Sequence, residues 1–149
     1  MARQSKGLEM TITETHNYLM QIRRIEWTIR RLTLEHDELE SCLLPSAIRY
    51  DKDVVQTSPE DKLSTVAATV LELEDRIVEL QRKKAETITE ICKAIGQLPN
   101  QMEGTVLTAY YIRRMTMEKV SEEIDKSLQH TYRLRKRGVT HLSVILRGM

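Results

Sequence analysis

The chain has 149 residues and a formal net charge of +1, with 40% hydrophobic, 30% charged and 4% aromatic residues, 5 Gly, 3 Pro and no Phe. That length suits one compact domain or two small modules, and so few turn formers beside so many charges argue against a sheet-based enzyme and for long helices. No apolar run approaches the roughly 20 residues that span a bilayer, and the opening MARQSKGLEM has no signal-peptide pattern, so no membrane partner is expected.

Ile22, Ile25, Ile29, Leu32, His36, Leu39 and Leu43 recur at alternating steps of three and four, an a/d heptad seam that Tyr18 extends upstream. Arg23, Arg24, Arg30, Arg31 and Glu38 form a charged face, and Trp27 also sits opposite the seam. The pattern predicts one helix from about residue 8 to 43, with Pro45 closing it. At about 1.5 Å per residue, a helix of about 35 residues reaches roughly 50 Å. His36, polar within an apolar seam, is expected to set register rather than bind a metal.

A connector over about 44–58 follows. Ser58 then offers an N-cap, Pro59 suits the first helical position, and Glu60 and Asp61 favour the positive helix end. A second seam runs through Leu63, Val66, Val70, Leu73, Ile77 and Leu80, and resumes at Ile88, Ile91, Ile95 and Leu98 after two successive steps of four. Such a stutter locally unwinds a coiled coil. Gly96 and Pro99 are stop signals.

Residues 1–98 therefore read as a long antiparallel helical hairpin, a coiled-coil arm for oligomerisation through Ile22, Ile25, Ile29, Leu32, Leu73, Ile77 and Leu80. A homodimer or higher homo-oligomer is expected, with the seams pairing either within or between chains. Cys42 and Cys92 show no metal or redox spacing, which makes a reducing cytoplasm the default.

Residues 99–149 change character. Asn100 and Glu103 fit a capping box for QMEGTVLTAYYIRR, Thr116 can cap MEKVSEEI, and Asp125-Lys126-Ser127 makes a short turn. Ser127 caps a last helix over about 128–146. The fold class is all-α: the hairpin arm, then a three-helix helix-turn-helix module.

Charge is divided the same way. Residues 1–109 carry 14 Lys/Arg and 18 Asp/Glu, a net of −4; residues 110–149 carry 9 and 4, a net of +5, and no acidic residue follows Asp125. That predicts an anion-binding C-terminal module on an acidic body. On a wheel of about 100° per residue, Thr131, Leu134, Gly138, Leu142 and Ile145 gather on one side of the last helix. Gln129, His130, Arg133, Lys136, Arg137 and Thr140 gather opposite. Arg can engage guanine and Gln adenine, while Ser127 and the first free N–H groups can hold a phosphate. Ser127, Gln129, His130, Arg133, Lys136 and Arg137 are the candidate contacts to double-stranded DNA. Gly138, in the buried arc, permits close helix approach.

TMEKVSEEIDKSLQHTYRLRKRGVTHL resembles the helix-turn-helix of sigma factor region 4, and more closely the small phage regulators of the RinA/ArpU type from Gram-positive bacteria. Val120, Ser121, Ile124 and Ser127 occupy that pattern's aliphatic, small and capping positions. VVQTSPEDKLSTVAATVLELEDRI is similar to the loop and second helix of such regulators, so the resemblance covers roughly two thirds of the chain. Ser121 and Gly138 stand where Ala is usual, and Asp125-Lys126 replaces a Gly-containing turn. The resemblance implies an activator of late phage genes that binds promoter DNA in the bacterial host cytoplasm, with RNA polymerase as a further partner.

Enzymatic activity, a metal and a cofactor are not expected. His16, His36, His130 and His141 have no metal-ligand spacing, and neither HExxH, P-loop nor GxSxG occurs. Glu72/Glu74 and Glu122/Glu123 read as solvated faces. The alternatives are a DNA-packaging component like a terminase small subunit, which also combines a helix-turn-helix with helical oligomerisation, and a protein-binding coiled-coil scaffold.

Overall fold

The computed structural model describes residues 2–44 and 59–148, and the side chains within 12–44 and 61–148. The described residues form five α-helices and one turn of π-helix, with no strand among them. Helix α1 spans Ala2–Ser41, α2 Pro59–Ile95, α3 Gln101–Leu107, α4 Met117–Ile124 and α5 Leu128–Arg147; the π-turn, Thr108–Ile112, continues α3. No described helix is long and apolar enough to cross a membrane. The cap expected at Ser58, the Glu60 side chain and the connector beyond Leu44 lie outside the described residues. Helix α1 starts at Ala2 rather than near residue 8, since the polar segment before the seam contains no proline to stop it.

The chain divides into two compact units, one of Met1–Arg24 with Ala85–Met149, the other of Ile25–Lys84. A boundary near residue 98 follows from sequence periodicity, yet that position lies inside the first unit. The reason is a shared core. Leu19 and Ile22 of α1 and Ile91, Ala94 and Ile95 of α2 pack with Leu98, Leu107, Tyr111, Val139 and Leu142. A second cluster, Val106, Ala109, Val120 and Leu134, joins α3, the π-turn, α4 and α5.

In the second unit, α1 and α2 run antiparallel: Glu26 meets Lys84, and His36 meets Glu74. Ile25, Leu32 and Val70 are buried, while Ile29, Leu39, Leu63, Val66, Leu73, Ile77 and Leu80 are half-buried. Both seams therefore face inward, as the heptads require. Trp27 is 67% exposed, in keeping with its place opposite the seam.

His36 joins the helices through Nε2 and meets carboxylates of its own helix through Nδ1. Nε2 lies 2.9 Å from a Glu74 carboxylate oxygen, and Nδ1 lies 3.1 Å from Asp37 and 3.6 Å from Glu40. Only the imidazolium can donate on both sides at once. Hydrogen bonds to Glu74 and then Asp37 accordingly raise its pKa above the ordinary 6.5, against a small opposing effect of desolvation.

A group with a raised folded pKa contributes stability that is complete below its unfolded value and lost as pH rises through the folded one. We predict that the stability difference between wild type and His36→Gln is largest below the ordinary histidine pKa of about 6.5 and shrinks as the pH rises above it. Urea titrations across that range measure it. A difference that stays constant with pH would show that the carboxylates do not hold the imidazolium.

Candidate nucleic-acid interface

Local chemistry fixes both ends of α4 and the start of α5. Thr116 Oγ1 accepts a hydrogen bond from Lys119 N at 3.3 Å, capping α4. The helix ends in Asp125, which takes the left-handed conformation (φ 56°, ψ 48°) usually given to glycine, as Lys126 N donates to Ser121 O at 3.1 Å. Aspartate tolerates that conformation better than most side chains. Ser127 Oγ then accepts from His130 N at 3.1 Å and begins α5. Asn100 caps α3 by accepting from Met102 N and Glu103 N at 2.9 and 3.3 Å. The Glu103 carboxylate, 2% exposed, reaches His141 Nδ1 on α5 at 2.7 Å.

Helix α5 is covered on two flanks. Thr131, Leu134 and Gly138 are buried, and a Cβ on Gly138 would stand 3.1 Å from Leu107 side-chain atoms. Val139, Leu142 and Ser143 are buried as well, the first two against Leu19, Ile22 and Ile91. Ile145, placed in the buried arc by the wheel, is half-buried. A wheel drawn for one core does not anticipate Val139 and Ser143, because the ends of α1 and α2 cover a second side.

What remains bare is an arc holding Gln129, Arg133, Lys136 and Arg137, all exposed, with Thr140 half-buried within it and His130 half-buried at its edge. Among the described residues, the side chains of Gln129, Arg133, Lys136 and Arg137 have no hydrogen-bond or ion-pair partner, and α5 contains no acidic residue. Some other cations of this unit are engaged, whereas the exposed Lys93, Lys119 and Lys126 resemble the α5 cations in having no ion-pair partner among the described residues. Arg113 pairs with Glu123 at 2.9 Å. Arg135 lies 4.7 Å from the Tyr110 ring centroid and 5.1 Å from that of Tyr132.

Arg23 departs from its expected place on a solvated face. Its Nη2 donates to the carbonyls of Tyr110 and Met115 at 3.0 and 3.3 Å, and its guanidinium lies 4.4 Å from the Tyr110 centroid. The Tyr110 carbonyl belongs to the π-turn, and that of Met115 follows Arg114, whose φ is 58°. Beside them, the buried Tyr111 hydroxyl and His16 Nδ1 are hydrogen-bonded at 2.6 Å. Burial pushes the phenol up to about 12, and burial, with Arg135 and Arg24 nearby, pushes His16 down.

Sequence reasoning missed Tyr110 and Arg135 as orienting groups. The only local signal is Tyr132 three residues before Arg135, a spacing that brings a ring and a cation together on a helix. Five of the residues expected to contact DNA, Gln129, His130, Arg133, Lys136 and Arg137, lie on α5, and Ser127 is engaged as its cap. Of the expected oligomerisation residues, Ile22 is fully buried in the first unit's core and Ile25 and Leu32 are buried within the chain; Ile29, Leu73, Ile77 and Leu80 keep exposed surface. His36, Asp37 and Glu40 are the group among the described residues whose potential ligand atoms converge, within 4.8 Å, and Glu74 already occupies the other ring nitrogen of His36.

Comparison of the chain with models of known families, with curated proteins and with solved structures finds no match in any of the three.

The two classes of cation predict opposite mutational behaviour. Arg23→Ala removes charged hydrogen bonds from two carbonyls and is expected to cost about 1.5–3 kcal/mol of stability. Single Ala substitutions at Arg133, Lys136 and Arg137 are each expected to change it by less than about 0.5 kcal/mol. Denaturant unfolding of the four variants checks both; a large loss at any of the three would make that side chain structural.

Proposed function

We propose that this chain is a sequence-specific DNA-binding transcription regulator: a long antiparallel helical hairpin arm followed by a helix-turn-helix module, acting in the bacterial cytoplasm as a phage or prophage late-gene activator. The observation that carries the reading is the bare arc of α5, with three unpaired cations, an unpaired glutamine and no carboxylate. A helix needs no such arc to fold. Retaining like charges without partners is what a polyanion surface would select.

In this reading α5 lies in the major groove, Arg133 and Gln129 address base edges, and Lys136, Arg137, His130 and Ser127 address phosphates. Two glutamates of α4, Glu122 and Glu123, lie outside α5, and Glu123 is held by Arg113. Activation rather than repression, with polymerase as a further partner, is proposed on the resemblance of the same helices to sigma factor region 4. Trp27, exposed on the arm, would then offer polymerase a contact.

With about four phosphates contacted, log K against log salt has a slope of about −3.6. Arg133→Ala weakens specific binding by about 1–3 kcal/mol if it reads a base. Gel-shift titrations on duplexes selected from a random pool measure both. An undiminished affinity in the triple Ala variant at 133, 136 and 137 removes the proposal.

Paired reading heads about one helical turn apart require a dimer. The half-buried Ile29, Leu73, Ile77 and Leu80 leave apolar surface for a second copy. Sedimentation equilibrium is expected to give a dimer, and Ile29→Asp with Ile77→Asp a species that no longer binds paired sites. A ring of eight or more copies would instead indicate the packaging function.

A further inference from the structure

Two side chains at the start of α5 suit neither a core nor a solvated basic face. Leu128 is 40% and Tyr132 42% exposed. One helical turn apart, they share a stripe, and at about 100° per residue Tyr132 lies about 40° from Lys136. Two turns farther along, that flank carries Val139 and Ser143, which are buried. The stripe is therefore covered in the C-terminal half of the helix and bare beside the unpaired arc.

A single exposed apolar residue is ordinary. Here there are two in register, and the ring is held. The Arg135 guanidinium stands 5.1 Å from the Tyr132 centroid and 4.7 Å from that of Tyr110, while Arg23 stands 4.4 Å from Tyr110. This stack runs from α1 through the π-turn to α5. An aromatic surface ordered in advance loses little conformational entropy when it makes a contact.

Resting on the DNA-binding reading above, we propose that Leu128 and Tyr132 form an apolar reader of the thymine 5-methyl group, beside the polar contacts of Gln129 and Arg133. The methyl of thymine is the one apolar group that a base pair presents in the major groove. A phosphate offers such side chains nothing, since they would strip its water without replacing a hydrogen bond. The adjoining cations bring the duplex to this helix, and the stripe lies within the strip that the duplex then covers.

The test uses the full chain. Duplexes are selected from a random library, and each thymine of the preferred sequence is replaced in turn by uracil, which pairs identically and lacks only the methyl. At one or two positions, wild type is expected to bind the uracil duplex about fourfold more weakly, the fold-change that burial of one methyl carries. Leu128→Ala and Tyr132→Ala, tested separately, are expected to bind thymine and uracil duplexes more nearly alike at those positions. Equal wild-type affinity for every uracil duplex overturns the proposal. So does a uracil effect that persists undiminished in both variants, since another residue would then read the methyl. Variants that keep affinity and methyl sensitivity but lose reporter transcription would assign the stripe to a protein partner instead. If no duplex is enriched, the DNA-binding reading itself fails, an outcome distinct from selection without methyl dependence.

Discussion

The close approach of α5 to α3 at Gly138 governs what the rest of the first unit can do. A Cβ there would meet Leu107 at 3.1 Å, so the hydrogen of glycine allows the helices to sit as near as they do. With that flank seated, Val139 and Leu142 reach Leu19, Ile22 and Ile91 on the other. A helix gripped from two sides has one strip left for solvent, and every unpaired cation of α5 falls within it. The composition of the segment alone does not produce this. A solvated helix of the same sequence would keep that arc but leave its apolar sides bare as well.

Arginine is used in two ways within a few ångströms. Arg23 and Arg135 flank the Tyr110 ring, one also bonded to carbonyls, the other reaching on to Tyr132. Their planar, permanently charged groups suit stacking and bidentate donation in ways that lysine does not. Arg133 and Arg137, by contrast, point where nothing in the described chain answers them. Net charge counts all four alike. Only the identity of each neighbour separates the cations that build the fold from those available to a partner.

Features governed by neighbours three or four residues away were legible in the sequence. The heptad seams, the caps at Asn100, Thr116 and Ser127, the turn at Asp125 and the exposed arc of α5 all follow from local spacing. Three things were not. The π-turn at Thr108–Ile112 interrupts what periodicity reads as one helix, and one of its carbonyls, that of Tyr110, accepts a hydrogen bond from Arg23 far upstream. The second covered flank of α5 depends on the ends of α1 and α2, which no wheel of α5 includes. The first unit likewise gathers residues before 25 with those after 84, a grouping that a boundary drawn at a proline cannot express.

The hydrogen bonds that tie α1 to the π-turn join residues 87 to 95 positions apart in sequence: Arg23 with Tyr110 and Met115, and His16 with Tyr111. A bundle of local helices ordinarily folds quickly, because its contacts lie close along the chain. Here the π-turn reaches its final hydrogen-bonded state only after a very long loop has closed, and closure entropy must be met before those bonds return anything. The unit that carries α5 is therefore complete only when the segments before residue 25 and after residue 84 have met.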